Sequence, residues 1–324
     1  MNPAPFHGIF PYLISPLDDR GKTRESVLHD LVGGLIQSGV HGLSPLGSTG
    51  EFPYLTPEQR IDVVRAVVRA AASRVPVVPG VAAYATGDAV QQINALLECG
   101  VDGIILILQA YFPLSSAAVL DFYASVAEAV SCPIVLYSNP RLLGVDLTPD
   151  QIVELSAIPN VQYAKDASGE TGRILSILNR VGERLKVFSA SAHVPLLVLQ
   201  LGGVGWMAGP ACLLPRESVA LYQLAVAGRW QDGLELQRRL WRANELFQKY
   251  SLAACVKAGL QAQGFDVGDP IPPQSRLSAE AHREIHQVLG QIAADEGTQT
   301  LVRGQSGEPG GSPRTAPSSA LQTG

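Results

Sequence analysis

PIVLYSNPRLLGVDLTPDQIVELSAIPNVQYAK, residues 133–165, contains one full unit of the pattern that sets the fold. Pro133–Tyr137 is a short apolar run rich in β-branched residues, and a polar turn follows it. Thr148-Pro149-Asp150-Gln151 then reads as a helix start, with a side-chain N-cap and a proline in the first turn, where a missing N–H leaves no bond unmade. Val161–Lys165 is the next strand-like run. Runs this short and this continuously apolar suit strands buried on both faces of a parallel sheet.

The same alternation extends in both directions. Strand-like runs occur at Gly8–Ile14, Gly42–Leu46, Pro76–Val81, Gly103–Leu108, Lys186–Ala190 and Val204–Met207. Glu25–Ser38 sets Val27, Leu28, Leu31, Leu35 and Ile36 on one helical face. Thr56-Pro57-Glu58-Gln59 opens a helix over Pro57–Ser73, and Asp88–Cys99 ends at a C-capping Gly100. Eight successive strand–helix units predict an α/β fold of the closed (β/α)8 TIM barrel type. An open doubly wound sheet is the alternative, but no G-x-G-x-x-G follows the first strand. After Met207 the strands stop. Pro215–Ala227, Trp230–Phe247, Tyr250–Gln263 and Ser278–Ala294 read as helices, the first closing the barrel and the others forming a C-terminal helical extension. The expected division is a barrel over 1–228, a helical layer over 229–296 and a disordered tail over 297–324, which is too poor in apolar residues to offset its ordering entropy.

The bulk properties narrow the function. The chain has 324 residues, 46% hydrophobic and 16% charged, with a net charge of -5 and no basic block. Neither nucleic-acid binding nor attachment to an anionic membrane is expected. Cys99, Cys132, Cys212 and Cys255 show no zinc spacing and read as reduced thiols. No secretory signal opens the sequence, and no apolar stretch reaches the length of a membrane span. The expected compartment is the cytoplasm.

Active sites of such barrels lie at the carboxyl ends of the strands, and three ends carry chemistry. The sixth strand ends at Lys165, within Tyr163-Ala164-Lys165-Asp166-Ala167-Ser168-Gly169. Burial disfavours an ammonium, and the resulting neutral amine can attack a ketone and form an imine. The plainer alternative is a surface ion pair between Lys165 and Asp166. The fifth strand ends at Tyr137, whose phenol can move protons or simply pack. The second runs into Gly47-Ser48-Thr49-Gly50-Glu51, where a glycine-flanked turn with two hydroxyls suits a carboxylate; Glu51 is expected to order this loop. Tyr111 after the fourth strand is a lesser candidate, equally readable as an interface aromatic. No metal-ligand spacing stands near any strand end, so neither metal nor cofactor is expected.

These segments together resemble the dihydrodipicolinate synthase / N-acetylneuraminate lyase family. The resemblance spans roughly residues 6–290 through Ser15-Pro16-Leu17-Asp18, Gly47-Ser48-Thr49-Gly50-Glu51-Phe52, Leu55-Thr56-Pro57-Glu58, Tyr137 with Pro140, Lys165-Asp166 with Ser168-Gly169, and Leu201-Gly202-Gly203-Val204-Gly205. It implies Lys165 as the imine-forming residue and Tyr137 as proton shuttle. It implies Ser48 and Thr49, with Gly50, as binders of the carboxylate of pyruvate or a similar 2-oxo acid, and Ser48 as the link from Tyr137 to Tyr111. A tyrosine at the place of Tyr111 is often lent by a neighbouring subunit, so a dimer or homotetramer is implied.

The chain departs from the family pattern in three places. Ser138-Asn139 stands where Asn is usual directly after the tyrosine. Leu142 occupies the usual arginine position, with Arg141 one place early. Ser189-Ala190-Ser191-Ala192-His193 lacks the acids that sialic acid lyases use. These departures point away from aspartate semialdehyde and sialic acid and toward a 2-keto-3-deoxy-acid or 4-hydroxy-2-oxo-acid aldolase. Trp206 and Met207 suggest an apolar wall, and His193 reads as a surface histidine at a helix start that could alternatively meet a substrate hydroxyl. A 4-hydroxy-tetrahydrodipicolinate synthase, a sugar-acid dehydratase and a non-catalytic 2-oxo-acid-binding barrel remain open.

Overall fold

The computed structural model describes residues 6–140, 144–191 and 193–294; Arg141 and Leu142, at and beside the usual arginine position, and the expected tail over 297–324 lie outside them. Seven parallel strands form one sheet: β1 (Gly8–Pro11), β2 (Gly80–Ala83), β3 (Ile104–Leu108), β4 (Ile134–Ser138), β5 (Val161–Asp166), β6 (Lys186–Ser189) and β7 (Gly205–Ala208). Their spatial order is β1-β7-β6-β5-β4-β3-β2. The expected Gly42–Leu46 strand fills the gap between β1 and β2. His41 N donates to Ile9 O at 2.8 Å and Ser44 N to Pro11 O at 3.0 Å, while Val78 N donates to Leu43 O at 2.8 Å and Gly80 N to Pro45 O at 3.0 Å. The ring therefore closes as a barrel, and the open-sheet alternative is not realised.

The stave over 42–46 is held by isolated bridges, Tyr12 to Ser44 and Leu43 to Val77, not by a full ladder. Two local features account for this. Pro45 has no N–H to donate, and Leu46 turns into the left-handed region at φ 60. Gly42 is needed at this stave, since a Cβ there would lie 2.1 Å from the Phe10 ring that fills the barrel interior.

Helices cover the outside: α1 (Glu25–Gln37), α2 (Pro57–Ala71), α3 (Thr86–Leu97), α4 (Ser116–Ala129), α5 (Pro149–Leu155), α6 (Thr171–Val181) and α7 (Pro195–Gln200). The starts of α2 and α5 are capping boxes, Thr56 with Gln59 and Thr148 with Gln151, and each side-chain cap is worth about 1 kcal/mol. α2 turns Val63, Val64, Val67 and Ala70 inward at helical spacing.

After β7 come α8 (Pro210–Leu213), a single turn the sequence did not announce, then α9 (Pro215–Val226), α10 (Trp230–Lys249), α11 (Leu252–Ala262) and α12 (Ala279–Ala294). α9 packs on β1 and α7 and so covers the seam of the barrel, while α10, α11 and α12 pack on one another. Among the described residues, no helix is long and apolar enough to cross a membrane.

Candidate active site

β4 and β5 run side by side in a register that sets Tyr137 opposite Lys165. β5 is paired on its other edge by β6, so the backbone carrying Lys165 is fixed from both sides. Lys165 is only 2% exposed. Its Nζ lies 2.7 Å from Tyr12 Oη, 4.1 Å from the centroid of the Tyr12 ring and 3.9 Å from that of Tyr137. The two rings would favour an ammonium, but burial dominates and pushes the Lys165 amine well below its ordinary value. Burial also pushes the Tyr137 phenol up to about 12, partly opposed by Asn139 Nδ2 donating to its oxygen at 2.9 Å. The site therefore presents an amine whose charged form burial disfavours, beside a phenol held above its ordinary range.

Above Lys165 opens a cavity of about 420 Å³. Tyr12, Ser48, Tyr137 and Asn139 line its barrel side. Asn244, Phe247 and Gln248 of α10 and Leu252 of α11 line the other. The C-terminal helices are thus part of the site. Among the described lining residues Lys165 carries the only ionisable nitrogen, and no carboxylate is present.

The other expected site residues are placed as follows. Thr49 sits behind the cavity wall, its hydroxyl buried and without a hydrogen-bond partner in the described structure. Gly50 accepts at its carbonyl from Ser15 Oγ at 2.9 Å, which holds the turn. Met207 lies in β7 opposite Phe10, wholly buried and not lining the cavity. Tyr111 is 83% exposed, its ring 4.9 Å from the equally outlying Phe112, and it does not reach the cavity of its own chain.

Asp166 follows Lys165 and, as strand residues alternate, turns away from it; the alternative of a Lys165–Asp166 surface pair is not what forms. Asp166 is buried and accepts from Ser168 N at 2.9 Å and Ser168 Oγ at 2.5 Å, from Arg173 Nε at 2.8 Å, and lies 3.1 Å from His193 Nε2. Burial would raise its carboxyl, but the bonds from His193 and Ser168 and the Arg173 charge outweigh that and hold it below the usual carboxylate range. His193 is therefore not the expected surface histidine. It is 2% exposed, because the β6–α7 connection folds it onto the Asp166 carboxylate. Arg173 also binds Asp146 through both terminal nitrogens at 2.8 Å and donates to Leu147 O and Ser138 Oγ. It ties the chain after β4 to the end of β5.

Glu51 orders its loop, as expected. It is buried in the left-handed region at φ 55, accepts from Ile271 N and Gln274 Nε2 at 2.6 Å each, and pairs with Lys257 of α11. Burial lowers the Lys257 amine, with Glu51 opposing. All four cysteines are free thiols.

Sequence reasoning passed over Tyr12, Asn244, Phe247 and Gln248. Tyr12 carried a signal: it is the one polar-tipped aromatic at the carboxyl end of the first strand-like run. The α10 residues carried none, since helical periodicity does not say which polar positions meet a cavity.

Fold and site together define a lysine-centred barrel lyase of the class I aldolase type. The model of the dihydrodipicolinate synthetase family matches residues 5–292, and the chain belongs to that family. It is 34% identical over 266 residues to a 4-hydroxy-tetrahydrodipicolinate synthase of Sorangium cellulosum, covering 82% of this chain and 88% of the relative. It is 30% identical over 267 residues to an uncharacterized DapA-like lyase of Halobacterium salinarum, with the same coverage. Among solved structures it resembles YagE of E. coli K12, a prophage protein of the dihydrodipicolinic acid synthase family in complex with pyruvate, at a TM-score of 0.85 and 26% identity over 90% of this chain and 99% of that one.

Proposed function

We propose that the enzyme forms a Schiff base between Lys165 and pyruvate or a larger 2-oxo acid, and makes or cleaves the carbon–carbon bond beside the imine. The observation that carries this reading is the buried Lys165 amine, its charged form disfavoured by burial, at the floor of a cavity and against two phenols. The nitrogen adds to the keto carbon and water leaves. In cleavage, Tyr137 takes the proton of the substrate hydroxyl while passing its own to the phenolate that imine formation leaves behind, the C–C electrons pass into the iminium, and an aldehyde and an enamine result. Condensation is the reverse. Ser48 and Thr49, with Gly50, are assigned to the carboxylate, and Met207 to an apolar wall of the substrate site.

The lining favours a substrate of the 2-keto-3-deoxy-acid or 4-hydroxy-2-oxo-acid type. Beyond Lys165 it offers amides (Asn139, Asn244, Gln248) and a hydroxyl (Ser191), donors and acceptors suited to a hydroxylated chain. Borohydride reduction with a panel of 2-oxo acids, read by peptide mass spectrometry, tests both parts. A reduced adduct on Lys165 is expected, and an unmodified Lys165 with every acid would favour a non-catalytic binding barrel.

The same reading assigns the chain to a cytoplasmic homo-oligomer, dimer or tetramer, in which Tyr111 acts in a neighbouring copy's site. The exposure of Tyr111 and of Phe112, 73% accessible, supports this. Light scattering of the purified chain should give a mass above that of a monomer, and a monomer at working concentration would count against it.

A further inference from the structure

We propose that Tyr12 is a second catalytic phenol, bonded to the reacting nitrogen and moving the protons of imine formation, while Tyr137 serves the carbon–carbon step. The assignment rests on the Schiff-base reading of Lys165 and adds a division of labour between the two tyrosines.

The geometry separates their tasks. Tyr12 Oη is at hydrogen-bond distance, 2.7 Å, from Lys165 Nζ. Tyr137 offers that nitrogen its ring face, at 3.9 Å from the centroid, and its own oxygen is engaged by Asn139 Nδ2. Tyr12 is also firmly set. Its backbone N donates to Ala208 O at 3.1 Å on one side and it bridges Ser44 on the other. Its ring lies directly under the loop that carries Ser48: a Cβ at Gly47 would stand 3.0, 3.1 and 3.2 Å from three of its carbons. The absence of a side chain at Gly47 lets that loop settle on the ring. Tyr12 thus touches the nucleophile, the cavity and the loop assigned to the carboxylate. Burial and the neighbouring Tyr137 raise its phenol well above the ordinary value, so it enters the reaction protonated.

Imine formation needs a group in this place. When Nζ adds to the keto carbon, the carbonyl π electrons move to oxygen, nitrogen must lose a proton and oxygen must gain one. A phenol bonded to the nitrogen accepts the first while giving its own to the second, and is unchanged. The nitrogen lone pair then expels the hydroxyl, which takes the phenol proton and departs as water. Iminium and phenolate remain, with charges balanced.

The test is the single-turnover rate of cyanoborohydride trapping with pyruvate, in wild type, Tyr12→Phe, Tyr12→Leu and Tyr137→Phe. Tyr12→Phe is expected to trap about 10²-fold more slowly and no better than Tyr12→Leu, because a ring without a hydroxyl restores packing alone. Tyr137→Phe is expected to trap within a few-fold of wild type while losing aldol turnover. Trapping by Tyr12→Phe within twofold of wild type, or recovery of the Leu defect by Phe, would overturn the assignment. Absence of any adduct in wild type would sink the Schiff-base reading and this one with it, so the two failures are distinguishable. If the Tyr12 variants do not fold, Gly47→Ala decides: it keeps the hydroxyl and displaces the ring, and an undiminished trapping rate there would overturn the proposal.

Discussion

Glu51 and Lys257 meet as an ion pair with both side chains removed from solvent. The pair joins the loop bearing Ser48 to α11, whose first residue, Leu252, lines the cavity. It is a fastening between the barrel and the helical layer, reinforced by Ile271 N and Gln274 Nε2 on the same carboxylate.

Lys257→Met should cost roughly 3–5 kcal/mol, because removing one member leaves a buried charge uncompensated. The loop loosens, so the KM for the 2-oxo acid should rise more than kcat falls. Glu51→Gln with Lys257→Met together should recover much of the loss, since both charges are then gone. Urea unfolding of the two single variants and the double variant gives the cycle. A double variant as unstable as the sum of the singles would show that the charges do not act as a pair.

Lys165 should cost stability in return for its reactivity. Its native pKa lies well below its ordinary value, so between the two values the unfolded chain binds a proton that the folded chain does not. Stability then rises with pH across that window. Lys165→Met, which removes the penalty, should stabilise the enzyme by roughly 0.5–2 kcal/mol, with a larger gain at pH 6 than at pH 9. Denaturant midpoints at the two pH values check this; a gain independent of pH would place the effect in packing instead of protonation.

That lysine was legible in the sequence because a charged residue ending an apolar strand conflicts with its surroundings, and such conflicts gather at functional sites. The barrel was legible for the opposite reason: strand runs, capping boxes at Thr56 and Thr148 and the glycine after α3 all agree with one fold. What sequence could not supply is contact between distant segments. His193 reads as a surface residue at a helix start until the fold brings it against Asp166, and Asn244 and Gln248 of α10 are ordinary helix positions until α10 lies over the barrel mouth. Strand limits were blurred where prolines interrupt the ladder, at Pro11 and Pro45. Met207, read as part of an apolar wall, is wholly buried in β7 opposite Phe10.

Arg173 is expected to govern how the enzyme tolerates acid. It neutralises Asp166 and Asp146 at once, and Asp166 is held below its ordinary pKa. A depressed carboxyl gives stability that is present above its unfolded pKa and is lost as pH falls through the folded value. Arg173→Met should shift that loss to higher pH and lower stability by roughly 3–5 kcal/mol at neutral pH. Arg173→Lys should restore only part, because a point charge cannot repeat the forked contacts to Asp146, Asp166 and Leu147. Acid titration followed by near-ultraviolet circular dichroism checks the order wild type, Lys, Met; coincident midpoints would remove Asp166 from the account.

Asn139 should set the readiness of Tyr137 to lose its proton. Its amide donates to the phenol oxygen at 2.9 Å and so opposes the burial that lifts the phenol to about 12. Without that donor the phenolate loses its stabilising bond and the pKa climbs further. A neutral hydrogen bond of this kind is worth about 0.5–1.5 kcal/mol, so Asn139→Leu should lower kcat for C–C cleavage about tenfold and carry its alkaline limb to higher pH. Cyanoborohydride trapping of pyruvate, in which Tyr12 is assigned the proton transfers, should change little. The pH profile of kcat, measured beside the trapping rate in the same variant, separates the two phenols. Equal losses in both steps would mean that Asn139 merely supports the β4 end, and an unshifted alkaline limb would mean that Tyr137 does not titrate in the step assigned to it.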